Sequence, residues 1–277
     1  MDILALLEMS PALPSLPRAV ALLMTELAQE EPNLRRLNQL FGTDPALAAR
    51  LLEQANGAGF ALSGQVAGVA EALALLEVTQ LRALVQTAPL GTTSRSVPGM
   101  NLQHFWRYSR NTAKLARSLA GAVQQSPVAA YTAGLLHALG ELLIHWGHPD
   151  RMASMNSMLP PLDFRRSKLE IKLLGYHYGT VSAALVQRWQ LPQAVIDAIH
   201  YQDAPFDNQA YEPLAGVIHL AAWRARAREA NMTDRELAVT FPAEVGLALG
   251  LDIDMVLQQD PIDWYARPDL EEESNGR

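Results

Sequence analysis

The chain has no cysteine among its 277 residues, which excludes a disulfide framework and thiolate chemistry and fits the cytoplasm. Long uncharged apolar runs are also missing. None reaches the ~20 residues that a membrane-spanning helix needs, so no membrane contact is expected. The first residues, Met1-Asp-Ile-Leu-Ala-Leu-Leu-Glu8, lack the basic leader of a signal peptide. Positive charge is scarce: 22 Lys and Arg stand against 29 Asp and Glu, for a formal net charge of -7, which argues against direct nucleic-acid binding. Only 18% of residues are charged and 49% are apolar, so wholesale disorder is excluded and a sizeable core is expected. Alternating strand patterns are nearly absent. No Walker phosphate loop and no Gly-x-Ser-x-Gly elbow occurs, so ATPase and serine-hydrolase readings gain nothing.

What is present reads as helix almost throughout. Val20, Leu23, Met24 and Leu27 recur at helical spacing, as do Leu34, Leu37 and Phe41. Asp44-Pro45 predicts an N-cap followed by a first-turn proline, with Leu47, Leu51 and Ala55 on one face and Gly57 and Gly59 as the stop. Gly91 to Gly99 has no apolar rhythm and marks the best internal boundary. Beyond it, one long helix is predicted over Phe105–Val123. Another starts at Ser126-Pro127 and runs through His137 to about Trp146. Ser167 and Glu170 have capping-box spacing for a helix closed by Gly175, and further helices begin near Tyr178, Pro192 and Pro213. The expected fold is all-α with two helical subdomains, residues 1–95 and 100–230, followed by a helical extension and acidic tail over 231–277. Asp269 to Arg277, with Glu271-Glu272-Glu273, reads as a solvated tail.

Several of these pieces, in order, resemble the HDOD family, a bacterial signalling module related to HD-domain phosphohydrolases. They are Leu13-Pro-Ser-Leu-Pro17, Asp44-Pro-Ala-Leu-Ala-Ala-Arg-Leu-Leu52, Asn56 before Gly57, Ala72-Leu-Ala-Leu-Leu76 and Leu81-Arg-Ala-Leu84. Phe105-Trp-Arg107, Ala133-Gly-Leu-Leu-His137, Glu170 with Gly175, and Arg188-Trp-Gln-Leu-Pro192 complete the set. The resemblance covers roughly residues 10 to 230 and implies that the C-terminal subdomain is an HD-like helical bundle. It also allows the metal ligands of the HD relatives to be checked position by position. Tyr108 stands where they carry a histidine, and their His-Asp pair reads His137-Ala138. Tyr178 stands at another histidine position with His177 displaced by one. Gln202-Asp203 replaces a pair of histidines, and Ala222 replaces an aspartate. One imidazole survives. A methyl group cannot replace the water shell of a divalent ion, so no metal and no catalytic residue is expected.

Other candidates have plainer readings. His137, Glu141 and His145 share a helix face, but the outer two lie about 12 Å apart along the axis, too far to share one ion, and a buried structural His137 is the preferred account. Gly57-Ala-Gly-Phe-Ala-Leu62 follows a helix instead of a strand and reads as a helix stop, not a dinucleotide loop. Arg224, Arg226 and Arg228, and the cluster Arg165-Arg166 with Lys168, could meet a phosphate or an acidic partner, but solvated faces are the preferred reading. Trp106, Trp146 and Trp189 read as core. Met152, Met155 and Met158 suit either an adaptable contact surface or core beneath a loop.

The resemblance and the stripped ligand set together lead to an expected role as a non-catalytic regulatory module. It would act through a signalling protein partner in a two-component (response-regulator) or cyclic-dinucleotide pathway. The surfaces favoured for this are an inter-subdomain cleft near Asn56, Tyr108 and His137, and a loop from Met152 to Met158. No acidic-pocket βα repeat of a receiver appears, so the partner is expected on a separate polypeptide. The alternative is a small-molecule or nucleotide sensor, with Tyr108, His137, Tyr178 and Gln202 lining a metal-free pocket and no cofactor required. A residual metal-dependent phosphohydrolase is the third reading.

Overall fold

Prolines and short polar side chains start many of the helices, and one of these starts also organises the N-terminal half. A computed structural model describes residues 2–9, 13–57, 59, 65–91, 97–207 and 211–262. Helices α2 (Pro17–Leu27), α3 (Leu34–Thr43), α4 (Pro45–Asn56), α5 (Val69–Leu75) and α6 (Val78–Gln86) pack on one another as an N-terminal group. Asp44, fully buried, accepts from the backbone N–H of Ala46 (2.9 Å) and Leu47 (3.0 Å), which caps α4. Its second oxygen accepts from Leu16 N at 2.6 Å and so fixes the entry to α2. Burial pushes its carboxyl up to about 6, although the three N–H bonds and Arg110 oppose the shift.

The C-terminal group is built around α7 (Leu102–Ala122), which lies against α8 (Pro127–Leu136) and α14 (Pro213–Glu229). Helix α9 (Leu139–Gly147) packs on α12 (Tyr178–Arg188), which packs on α13 (Gln193–His200). Helices α10 (Pro149–Met158) and α11 (Arg166–Leu174) lean on α9 and α12 respectively. Beyond α14 come α15 (Asp234–Thr240), α16 (Ala243–Leu249) and α17 (Ile253–Gln258), of which α16 packs on α14. Helix α1 (Ile3–Met9) precedes the N-terminal group in sequence but packs on α9 and α12. Arg188 of α12 donates to its Leu7 carbonyl at 2.7 Å.

The all-α expectation holds: among the described residues there is no strand, only a single parallel bridge between Ser15 and Leu90. Helix α4 meets α7 and α8, and the buried apolar residues of both groups form one continuous core. The stretch Pro127–Gly147 is long and apolar enough to cross a membrane, but 83% of its most apolar window is buried inside the protein, as befits a core helix. The expected capping box of Ser167 and Glu170 does not form. Arg165 holds the N-cap position of α11, Ser167 Oγ donates to Asp203 at 2.9 Å, and Glu170 is drawn into a buried ion cluster. Gly175 does close α11, in the left-handed conformation at φ +85°. Residues 92–96 of the expected boundary, most of Gly57–Leu62, and the tail Asp269–Arg277 lie outside the described residues.

Candidate functional site

The continuous helix expected through His137 is interrupted there. Helix α8 stops at Leu136, His137 is its C-cap, and α9 restarts after Ala138. The restart of α9 lies hard against α12. Gly140 comes so close that a Cβ on it would sit 2.2 Å from the Tyr178 carbonyl oxygen, and its N–H donates to Ser182 Oγ at 2.8 Å. Gly134 lets α8 approach α7 in the same way, since a Cβ there would lie 2.8 Å from Ala113 Cα. These two contacts aim the His137 ring into the centre of the C-terminal bundle.

His137 is fully buried, and both of its ring nitrogens are engaged. Nδ1 faces the Gly134 carbonyl at 2.7 Å, which leaves it only the donor role. Nε2 is therefore the acceptor, and the Tyr108 hydroxyl donates to it at 2.9 Å. Burial, with help from Arg226, pulls the imidazole down to about 3 against the bond to Gly134, so it is neutral at physiological pH. Gln202 Nε2 donates to the His137 carbonyl (2.9 Å) and to the Ile199 carbonyl (3.0 Å). Ala138 and Ala222 are buried and present only methyl groups to the same region.

The residue that completes this centre is Arg226, one turn beyond Ala222 on α14. Its guanidinium carbon lies 5.8 Å from the Tyr108 ring centroid and 5.6 Å from that of Tyr178, and Nη2 donates to the Tyr178 hydroxyl at 2.6 Å. Burial raises both phenols above their ordinary value, so both are neutral. The structure thus overturns the solvated-face reading for Arg226, which is only 9% exposed. Arg224 is paired with Asp260 at 2.9 Å. A divalent metal does not fit here: the one surviving imidazole lone pair is taken by Tyr108, and a cation already occupies the space between the two phenol rings. Among the described residues no group of three or more His, Asp or Glu side chains is placed to hold an ion.

A second buried cluster lies behind Tyr178. Arg166, which is fully buried and not part of a solvated patch, bonds Glu141 (3.0 Å), Glu170 (2.9 Å) and the Leu159 carbonyl (2.8 Å). Glu141 also bonds His145 Nε2 at 3.2 Å, and Glu170 accepts from the Tyr178 backbone N–H at 2.7 Å. Burial first, then the neighbouring Glu141 carboxylate, raises Glu170 well above the usual carboxylate range. Burial likewise pulls His145 down to about 4. These four side chains hold α9, α11 and the start of α12 together, which positions Tyr178. Of the other basic residues in that cluster, Arg165 and Lys168 are exposed.

Beside the centre lies a cavity of about 800 Å³ with Arg226 in its wall. The remaining wall comes from the loop before α7, the first turn of α7, the Pro160–Arg165 loop, the end of α14 with Met232 beyond it, and Thr240 at the end of α15. Tyr108, His137, Tyr178 and Gln202 are not part of it: they are buried against one another, so the pocket expected along their side chains is filled. His177 caps α12, its Nδ1 accepting from Gly179 N at 3.3 Å, and makes no described bond to His137. Asn56 is also elsewhere. Its side-chain amide bonds both backbone groups of Val66 (2.8 and 3.0 Å), bracing the loop whose Gly68 meets Val128 of α8. Met152 and Met155 are core residues of α10, and Met158 alone of the three is exposed, so that segment is a helix without a methionine contact surface.

The family model of the HDOD domain matches residues 13–205. The chain is 26% identical over 235 residues to an uncharacterised protein of Treponema pallidum (strain Nichols). That alignment covers 84% of this chain and 44% of the relative, so the chain spans less than half of that protein's length. Among solved structures, its fold is similar to the MmoQ response regulator of Methylococcus capsulatus str. Bath, at 22% identity and a TM-score of 0.68, over 91% of this chain and 98% of that one. It is also similar to a Shewanella amazonensis SB2B protein provisionally named a phosphohydrolase, at 26% identity and a TM-score of 0.55, over 95% of this chain and 94% of that one.

Proposed function

The chain belongs to the HDOD domain family, and from that premise we propose that it is a regulatory module of signal transduction that binds a partner protein and catalyses no metal-dependent hydrolysis. One observation carries this reading. The guanidinium of Arg226 lies between Tyr108 and Tyr178, beside a His137 whose lone pair is already bonded, so the centre repels a cation where a hydrolase would hold one. The module then works by what its surface recognises, and a two-component setting is supported by the MmoQ neighbour being a response regulator.

Metal analysis of the purified chain after incubation with Mn²⁺, together with phosphomonoesterase and phosphodiesterase assays, tests the reading. The expected result is no stoichiometric metal and no turnover. Turnover that disappears in His137→Ala would overturn it. For the partner, a signalling protein should co-purify in fixed stoichiometry from the native host, and its absence would count against the interaction role.

A further inference from the structure

Arg226 is charged at every physiological pH, yet among the described residues it forms no ion pair at hydrogen-bond distance. Nη2 donates to the neutral Tyr178 hydroxyl, and Nε is buried without a partner. Nε is sealed from solvent, but Nη1 is not and makes no described bond, so it is the donor a molecule in the neighbouring space could reach. The same side chain forms part of the wall of the cavity of about 800 Å³. Elsewhere on that wall the charges are already matched. Glu229 is held by His104 and Arg107, and Asp163 by Arg165 at 3.0 Å. Met100, Phe105, Leu162, Phe164 and Met232 supply an apolar lining.

We propose that this cavity binds an amphipathic anion, a small molecule with one carboxylate or phosphate monoester group set against Arg226 and an apolar body against the Phe105–Leu162–Phe164 wall. The assignment rests on the metal-free reading of the centre, because only there is the guanidinium the local positive charge. The volume lies within the range of small-molecule pockets, roughly 300–1,000 Å³. Arg226 feels the charges of Asp203 and Asp163 but bonds no carboxylate, which leaves room for one anionic group. Further charges on a polyanion would meet only carboxylates that are already paired and no second unbonded cation, so a nucleoside triphosphate gains nothing over a single anionic group.

Isothermal titration of the full chain with decanoate, decyl phosphate, decanol and ATP tests this. Decanoate or decyl phosphate is expected to bind once per chain, and the tighter of the two identifies the head group. Decanol should bind at least about tenfold more weakly, the scale of one lost charged hydrogen bond, and ATP should not bind. Arg226→Met should weaken the anion by about tenfold or more. Because that substitution disturbs a buried side chain, Leu162→Glu and Leu162→Lys on the half-exposed wall give an independent electrostatic reading: the first should weaken binding and the second strengthen it. The proposal is overturned if neither anion binds, if decanol or ATP binds as well as the anion, or if the two Leu162 variants bind alike. Metal analysis of the same preparation separates the failures. Bound Mn²⁺ defeats the metal-free centre, whereas no metal and no anion binding defeats the cavity site alone.

Discussion

His137 bonds two buried groups, the Gly134 carbonyl near the end of α8 and the Tyr108 hydroxyl on α7. Its role in the fold is therefore to join two helices, and it does so only as the neutral Nδ1–H tautomer. His137→Leu keeps similar bulk but strands both groups, each at about 1–3 kcal/mol. The variant is expected to lose about 2–6 kcal/mol of stability in urea unfolding. A loss well below that range would mean that water or a rotated Tyr108 replaces the imidazole, and that the centre is not closed. Tyr178, on the far side of Arg226, is held differently, through its backbone N–H on Glu170, so the two phenols that flank the guanidinium are fixed by separate networks.

Two helical glycines measure how far the break between α8 and α9 depends on close approach. Gly140 has no room for a Cβ beside the Tyr178 carbonyl, so Gly140→Ala must push α9 away from α12, at an expected cost of about 3 kcal/mol. Gly121, exposed near the end of α7, has nothing within 4 Å of its Cβ position, so Gly121→Ala should gain about 0.5–1 kcal/mol from helix propensity. Thermal unfolding of the pair checks both signs, and two destabilised variants would show that α7 is bent or frayed at Gly121. The contrast also explains which elements are legible in the sequence. Asp44-Pro45 and Ser126-Pro127 announce their helices because a cap and a first-turn proline act within a few residues, and both cap bonds are present. The interruption at His137 comes where α9 closes on α12, some forty residues further along, and leaves no local mark beyond a glycine inside a helical pattern. The position-by-position loss of ligands singles out Tyr108, His137, Tyr178, Gln202, Ala138 and Ala222 as a pocket lining, whereas all six are buried side chains. Arg226 escapes it because alternate arginines look like a solvated face whichever of them is buried. The available signal is its spacing, four residues after Ala222 on one helix face. Met152 and Met155 are ambiguous for the same reason, since thioether spacing is identical for a core stripe and a contact stripe.

At the scale of the whole molecule, the buried titratable groups divide into two sets with opposite effects on acid stability. His137 and His145 have folded values of about 3 and about 4, set chiefly by burial, while the unfolded chain binds each proton near 6.5. His177 and His219 are lowered too, again chiefly by burial. The stability these histidines contribute is complete above pH 6.5 and is lost as pH falls toward their folded values, because the unfolded state then holds more protons. Asp44 and Glu170 act the other way. Their folded values are raised, to about 6 for Asp44 against 3.8 unfolded, so the folded state takes up the proton first and regains stability on acidification. Urea midpoints followed from pH 7 to 4 at constant ionic strength should therefore fall, but less steeply than the histidines alone would require. Asp44→Asn retains an oxygen to accept from Ala46 and Leu47 and cannot titrate. It removes one compensating proton, so its midpoint should fall more steeply than wild type between pH 6 and 4, where wild-type Asp44 is protonated in the fold and ionised in the unfolded chain. Parallel curves would mean that the three N–H bonds to Asp44 outweigh its burial, and that the carboxylate tying α2 to α4 is ionised throughout that range.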